Sequence, residues 1–243
     1  RRPLCEARSK KRQFMVMSIV GQEYSCPTID ITMNCLFFDL ASHNGLLACV
    51  KDDAMIASKL VDHRLDDHEL VPAVEKLLRD AGWTYQDLKQ IACMVGPGGF
   101  TSLRVAVAFA NTIAWSLKIP SGRIHLSDLY AARVGSGRLQ SAAAESDFVW
   151  LHSTKKTEFF VRGFGSYKKK WPEPVHITLE DLVKNLSKGI SICGELIPEH
   201  RSVIAGAGVH ELPLQNAEAI LPAFLKNVSF ENKTLEPWYG RSW

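Results

Sequence analysis

The chain has 243 residues, of which 46% are hydrophobic and 23% are charged, a composition typical of a globular protein and unlike a disordered or fibrous one. Its net charge of +3 comes entirely from residues 1–32, which hold six Lys or Arg and three Asp or Glu, whereas residues 33–243 hold 23 of each kind. Because residues 33–243 carry no excess of cationic side chains, the composition argues against a domain that binds nucleic acid by itself.

The cysteine pattern and the apolar runs indicate a cytoplasmic protein that does not enter a membrane. Six cysteines occur without a Cys-x-x-Cys pair, and four of them lie in apolar runs that resemble strands. This pattern predicts reduced, buried thiols, with neither zinc nor disulfides. The most apolar helix candidate, Leu103 to Leu117, is interrupted by polar residues and is too polar to span a bilayer.

Residues 1–32 lack a clean periodicity and have no initiator Met. Their short apolar stretch, Phe14 to Val20, ends without a convincing cleavage site, which argues against a secretory signal. Two interpretations stay open for this N-terminal extension. It is either a disordered basic arm or an over-extended gene start with Met33 as the true initiator.

From Asn34 the pattern predicts three strands followed by a helix. The apolar runs Cys35–Phe38, Leu46–Val50 and Met55–Val61 indicate a three-strand meander. A helix is predicted over about 67–81, because apolar residues recur there at helical spacing and Gly82 can end it. Asp66 or Asp67 can cap its start.

A glycine-rich loop and a long helix come next. The strand Gln90–Val95 leads into the loop GPGGF, and a helix is predicted from about Thr101 to Lys118, where Ile119-Pro120 stops it. A strand around 123–126 and a short helix SDLYAARV complete the order β-β-β-α-β-α-β-α. That order is typical of one half of the actin-like (ASKHA) ATPase architecture.

The remainder predicts a second, reduced half. Residues 135–147 are rich in small and polar residues and are typical of a linker. After it we predict strands at 148–152, 157–164, 190–193 and 203–205, and helices at 179–186 and 217–225. The predicted fold is α/β and actin-like, with a first half at 33–134 and a shortened second half at 148–243, each a mixed β-sheet with helices.

The segment GPGGFTSLR, residues 96–104, is the sharpest local feature. Glycines there permit positive φ, and the unpaired N–H groups of a helix start offer an anion site. The segment lacks the Gly-Lys-Ser/Thr ending of a P-loop. Candidate nucleotide or loop contacts are Gly96, Pro97, Gly98, Gly99, Phe100, Thr101 and Arg104. For Arg104, contact with a partner or nucleotide and internal bracing of the loop both stay open.

Residues for chemistry are not evident. Asp39 ends the first strand, where actin-like enzymes place an acidic residue near the metal-bound phosphates, but the following LASHNG lacks the matching Gly-Thr/Ser turn. We therefore expect Asp39 to form a strand-end turn. The histidine pairs His63/His68 and His200/His210 lack the i, i+4 spacing of a metal pair on a helix. The sequence predicts no catalytic residue and no metal ligand.

The chain resembles the TsaB (YeaZ) family. The stretch GPGGFTSLRVAVAFANTIAWSLKIP is similar to the GPGSFTGLR-type loop and helix of that family. Similar stretches are FFDLASHNGLLACV, DDHEL with VPAVEKLL, GWTYQDLKQIACMVGPG, HSTKKTEFFVRGF and EPWYGRS. The resemblance covers about residues 34–134 well and the remainder loosely. Two residues depart from the signature: Gly99 stands where the family has Ser, and Ser102 where it has Gly.

The resemblance implies a non-catalytic subunit that binds and supports the catalytic TsaD in making threonylcarbamoyladenosine (t6A) on tRNA, together with the ATPase TsaE. It implies no intrinsic cofactor, ATP or ADP only at the partner interface, and tRNA only through the complex, whereas homodimer formation by the chain alone stays open. Two alternatives stay open. One is an active ATP-dependent carbamoyltransferase or kinase of the same superfamily, and the other is a glycoprotease-like peptidase.

A partner surface is predicted on the two long helices of the first half. One face of the second helix, with either Val105 or Leu103 and with Phe109 and Ile113, is expected to cover the sheet. The opposite stripe of the second helix and two residues of the first would then face the partner. The predicted interface residues are Ala106, Ala110, Ala114, Leu117, Val74 and Leu78.

Overall fold

The computed structural model describes residues 32–62, 67–134, 147–156 and 158–240. The predictions for residues 1–31, for the linker up to residue 146 and for the cap at Asp66 lie outside this part of the chain. None of the helices in the described part is long and apolar enough to cross a membrane.

The first half contains five strands and three α-helices in the predicted order. They are β1 (Asn34–Asp39), β2 (Asn44–Lys51), β3 (Ala54–Asp62), α1 (Asp67–Asp80), β4 (Gln90–Gly96), α2 (Phe100–Leu117), β5 (Ser121–His125) and α3 (Leu126–Val134). β1 pairs antiparallel with β2 and parallel with β4, and β4 pairs parallel with β5. The antiparallel meander therefore extends a parallel core, as predicted.

The rest of the chain builds a second sheet and then returns to the first. Its elements are β6 (Phe148–Lys155), β7 (Glu158–Phe164), β8 (Val175–Ile177), α4 (Leu179–Asn185), β9 (Ser191–Glu195), α5 (Pro198–Gly206), β10 (His210–Glu211), α6 (Ala217–Leu225) and β11 (Phe230–Glu231). The sheet orders are β11-β5-β4-β1-β2-β3 and β10-β9-β6-β7-β8. The predicted fold class, two mixed sheets with helices and a smaller second half, is confirmed.

The C-terminal segment corrects the predicted boundary of the second half. β11 pairs antiparallel with β5 at the edge of the first sheet, and α6 contacts α3, β2 and β3. Gly122 of β5 makes this return possible, because a Cβ there would lie 2.7 Å from a methyl group of Val228 and 2.8 Å from the ring of Phe230. The predicted range 148–243 therefore holds two spatial parts, and its end belongs to the first sheet.

One short strand prediction was wrong. Residues 203–205 lie inside α5, whose first residue is Pro198, a residue that suits the start of a helix because its missing N–H would be unpaired there. Three apolar residues cannot by themselves distinguish a strand from a helix.

Each face of the first sheet is buried against a different layer. α1 and α2 cover one face, and their apolar residues share a core with Leu36, Phe38 and Cys93 of the strands. The opposite face packs against α3, α6 and residues of the second sheet such as Trp150. The prediction of buried thiols is confirmed for the four described cysteines, which are buried and unpaired.

Candidate functional site

The candidate site lies where the carboxyl ends of strands from both sheets meet. Parallel strands end at the same edge of a sheet, so the residues after β1 and β4 lie together in one sheet, and those at the ends of β6 and β9 lie together in the other. The backbone N–H of His43, after β1, donates to Glu195 Oε2 of β9 at 2.8 Å. His43 Nε2 also lies 2.9 Å from the carbonyl oxygen of Ser153 in β6. These two contacts join the two sheets at this point.

Asp39 forms the strand-end turn that its sequence context predicts. Its Oδ1 accepts from the backbone N–H of Ala41 at 2.9 Å and of Ser42 at 3.0 Å, and the Ser42 hydroxyl donates to Oδ2. Only 2% of Asp39 is exposed, and this burial raises the pKa of its carboxyl to about 6. Both carboxylate oxygens are therefore engaged within their own turn.

The glycine-rich loop lies tightly between two segments of backbone. Gly96 has a φ of 138°, and a Cβ there would lie 2.2 Å from the carbonyl oxygen of Trp238. A Cβ on Gly98 would lie 2.7 Å from the Cα of Ala41. The glycines at 96 and 98 are thus required for close packing of the loop against the C-terminal segment and the turn after β1.

The start of α2 faces solvent and is braced by aromatic contacts. Gly99 is the N-cap residue and makes no side-chain cap. The ring of Phe100 lies 4.7 Å from that of Tyr239, and the guanidinium of Arg104 lies 4.2 Å from the Phe100 ring centroid. For Arg104 the structure thus provides the bracing contact. Of the predicted contact set, Gly96 and Pro97 are buried, and the remaining five residues are exposed or half-buried.

The predicted interface stripe on α2 was wrong for its first two alanines. Ala106 and Ala110 are fully buried in the core between α2 and the sheet. Small side chains at these positions let the helix approach β4 closely, so their size serves the chain's own packing. Ala114 and Leu117 are half-buried. Leu103 and Ile113 do cover the sheet, as predicted.

The two interface residues predicted on α1 were also wrong. Val74 is fully buried and Leu78 is 2% exposed, and both belong to the same core beneath α1 and α2. The helix instead exposes mainly charged and polar residues, with Val71 as its large exposed apolar side chain.

The true outer stripe of α2 ends in an exposed tryptophan. It consists of Arg104, Ala108, Thr112 and Trp115, spaced four, four and three residues apart. Trp115 is 83% exposed, the highest value among the large hydrophobic residues of the described part. Beside it lies an open groove of about 880 Å³, lined by the second half of α2, the start of β5 and residues 232–234.

A cluster of two histidines and a glutamate between the two sheets was missed by the sequence reasoning. One ligand atom from each of His43, His152 and Glu195 lies within 4.8 Å of the others. His152 is fully buried, and this burial lowers its pKa to about 3. The residues come from distant segments, so local spacing could not reveal them. The available signal was that each lies at or just after the carboxyl end of a predicted strand.

A second polar group also joins the second sheet to the first half of the chain. Arg162 of β7 donates to Asp128 Oδ1 at 2.6 Å and to the Ser127 hydroxyl at 2.8 Å. His125 lies 2.8 Å from the same hydroxyl, and burial is the main reason that its pKa is lowered to about 3. Arg162 therefore contributes the positive charge to this group, while His125 is neutral at pH 7.

Solved structures with a similar fold carry the YeaZ name. The structure described as an uncharacterized protein with similarity to peptidase YEAZ from Pseudomonas aeruginosa has a TM-score of 0.59 at 19% identity. That match covers 86% of this chain and 99% of the other. YeaZ from Pseudomonas aeruginosa has a TM-score of 0.56 at 18% identity, covering 79% of this chain and 91% of the other. At these identities the likeness shows the fold.

Curated relatives carry the name tRNA threonylcarbamoyladenosine biosynthesis protein TsaB. The Bacillus subtilis protein is 33% identical over 102 residues, which are 41% of this chain and 44% of that protein. The Buchnera aphidicola protein from Acyrthosiphon pisum is 26% identical over 176 residues, which are 68% of this chain and 76% of that protein. The chain thus spans less than half of the Bacillus relative that it matches.

A family model covers more than half of the chain. The family is described as TsaD, tRNA N6-adenosine threonylcarbamoyltransferase, and its model matches residues 63–188. That range includes the glycine-rich loop, α2 and the strands β6, β7 and β8. The chain therefore belongs to the family that this model describes, and it is similar to curated relatives that carry the TsaB name.

Proposed function

We propose that this chain is a non-catalytic TsaB-like subunit that binds and supports a TsaD-like catalytic subunit in t6A biosynthesis. A TsaE-like ATPase would complete the assembly, and tRNA would be reached only through the complex. Family membership and the names of the curated relatives support this role.

The observation that carries the proposal is the exposure of Trp115. An indole that is 83% exposed leaves a large apolar surface in water, and tryptophan is among the residues most enriched at interface hot spots. The adjacent groove offers a concave surface for a side chain of the partner. Val71, 42% exposed on α1, adds a second apolar side chain to the same helical layer. We therefore place the partner surface on the outer sides of α1 and α2.

The non-catalytic part of the proposal is supported by the state of Asp39. Its two carboxylate oxygens are occupied by three donors of its own turn, so the residue is engaged as a turn former. The loop that follows β4 is held against the carbonyl oxygen of Trp238 at Gly96. We propose that ATP or ADP binds only in the complex, near the exposed Thr101 and Arg104 at the start of α2.

The binding test compares two exposed apolar residues on opposite faces of the first sheet. Trp115→Ala should weaken binding to the cognate TsaD-like subunit by about 30-fold or more, which corresponds to a hot-spot loss of about 2 kcal/mol. Leu60→Ala is the matched control. Leu60 is 67% exposed on β3. Side chains two residues apart in a strand point to the same face, so Leu60 lies on the face of Ser58, whose hydroxyl bonds to Glu218 of α6. That face is opposite to the one covered by α1 and α2.

Isothermal titration calorimetry with the purified proteins would measure both affinities. Equal binding by the Trp115 variant and wild type would place the partner surface elsewhere. Size exclusion of the chain alone would show whether it forms a homodimer, and the Trp115 variant would show whether the same surface is used.

Incubation of the chain alone with ATP, bicarbonate and threonine should yield no threonylcarbamoyladenylate. Turnover that disappears in Asp39→Ala would favour the enzyme alternative.

A further inference from the structure

We propose that His43, His152 and Glu195 form a binding site for a divalent transition-metal ion, with zinc as the best match, that links the two halves of the chain. This inference does not depend on the proposed function. It also differs from the expectation from the sequence, which considered only cysteines and histidines at short spacings along the chain and predicted no zinc site.

The donor set and its spacing suit one ion. Two imidazoles and one carboxylate form a common three-ligand set for zinc, which leaves a fourth position for water or another group. One donor atom from each residue lies within 4.8 Å of the others. His152 Nδ1 and Glu195 Oε2 are 3.7 Å apart, too far for a hydrogen bond. Two ligands that each lie about 2 Å from a tetrahedral ion are separated by about 3.4 Å, so a small adjustment suffices.

The second, independent observation is the unsatisfied state of His152. Its side chain has no exposed surface, and neither ring nitrogen has a hydrogen-bond partner among the described residues. Buried polar atoms in folded proteins are nearly always satisfied, and an orphan requires an explanation. The His152 ring packs beside two aromatic rings. It is parallel to the Trp150 ring within 3°, with the ring centroids 5.8 Å apart, and its centroid lies 6.3 Å from that of Phe160. A metal bond would satisfy one of its nitrogens.

The backbone holds Glu195 at the position where it can share an ion with His152. The parallel pairing of β6 and β9 places these two residues side by side in register. Gly194 has a φ of 129°, and a Cβ there would lie 1.8 Å from the carbonyl oxygen of Leu151. Only glycine allows β9 to approach β6 this closely just before Glu195. The Glu195 carboxylate also bonds to the Tyr130 side chain, which orients it.

His43 brings a ligand from the other half of the chain. A carbonyl oxygen only accepts hydrogen bonds, so the 2.9 Å contact with the carbonyl oxygen of Ser153 makes His43 Nε2 the donor. A ring nitrogen that donates to a backbone carbonyl while the other binds the ion is the usual arrangement of metal-ligating histidines. The 2.8 Å bond from the His43 N–H to Glu195 Oε2 keeps this loop beside the carboxylate.

The test is metal titration of the untagged full-length chain after removal of metal with a chelator. Zn²⁺ should bind with one equivalent and raise the melting temperature. Co²⁺ at the same site should give the visible absorption of a tetrahedral complex with nitrogen and oxygen ligands. His43→Ala and Glu195→Gln should each lower the Zn²⁺ affinity by at least about 100-fold, more than the 10- to 100-fold typical of outer-shell changes. The control His210→Ala removes an exposed histidine of β10 and should bind like wild type.

Three results would overturn the proposal. They are wild-type binding no tighter than that of His43→Ala, retention of the one-equivalent site in both ligand variants, and its loss in the His210 variant. His43 and Glu195 are the chosen positions because both are partly exposed, so their variants are expected to fold, whereas His152 lies within the core. Circular dichroism of each metal-free variant confirms that a lost site is not a lost fold.

Discussion

Replacing Ala110 by arginine should unfold or severely destabilise the protein, whereas the same change at Ala108 should be tolerated. The two alanines lie two residues apart on α2, but Ala110 is fully buried against the first sheet and Ala108 is exposed. The pair therefore tests which face of α2 belongs to the core while it keeps the helix and the introduced side chain constant.

The expected magnitudes differ by several kcal/mol. At Ala110 the added side chain overpacks the core, at a cost of about 1–3 kcal/mol, and the buried unpaired charge costs several kcal/mol more. A loss above about 4 kcal/mol is a large part of the total stability of about 5–15 kcal/mol. At Ala108 the expected change is within about 0.5 kcal/mol, including a small repulsion from Arg104 one turn earlier.

Thermal melts and urea unfolding followed by circular dichroism would measure both variants. For a protein of this size, 1 kcal/mol shifts the melting temperature by about 2–4 °C. We expect a fall of at least about 8 °C or no folded protein for Ala110→Arg, and about 2 °C or less for Ala108→Arg. Similar melting temperatures for the two variants would refute the assignment of the buried face. Under the proposed function, Ala108→Arg should still weaken partner binding, because Ala108 lies on the outer stripe.

Two further predictions concern the turn after β1 and the glycine loop. Asp39→Asn should keep the turn and remove the buried charge. Because burial raises the pKa of Asp39 from 3.8 to about 6, its contribution to the wild-type stability is full below pH 4 and is lost as the pH rises to about 6. The Asn variant should therefore gain up to about 3 kcal/mol relative to wild type over that range in urea unfolding, and a pH-independent difference would contradict this. Gly98→Ala should lower the melting temperature, because its Cβ would lie 2.7 Å from the Cα of Ala41. Gly99→Ser should raise the stability by a few tenths of a kcal/mol, because it supplies an N-cap to α2 without backbone strain. A higher melting temperature for Gly98→Ala than for Gly99→Ser would contradict both expectations.

Much of the first half could be predicted because its signals are local. Apolar runs gave the strands of the meander, and the glycine loop followed by apolar helical spacing gave β4 and α2. The face of α2 was not predictable from composition, since alanine fits both an outer stripe and a close contact with a sheet. Here Ala106 and Ala110 face the sheet, and Trp115, the bulkier apolar residue, faces solvent.

The parts that the sequence did not reveal depend on long-range contacts. β11 has two residues, and it forms a strand only because the edge of β5 supplies its hydrogen-bonding partner. The cluster of His43, His152 and Glu195 depends on the pairing of β6 with β9 and on the approach of the two halves. No local periodicity encodes either arrangement, so only the folded chain shows them.

Reconstitution of tRNA threonylcarbamoylation tests the central claim most directly. The cognate TsaD-like subunit, a TsaE-like ATPase, threonylcarbamoyladenylate and substrate tRNA would be combined with no added chain, with wild type or with Trp115→Ala, and t6A would be quantified by mass spectrometry of the digested tRNA. We expect t6A only when the chain is present, with strongly reduced formation for the Trp115 variant that recovers at high variant concentration. Equal t6A formation without the chain, or formation by the chain without the TsaD-like subunit, would contradict the account.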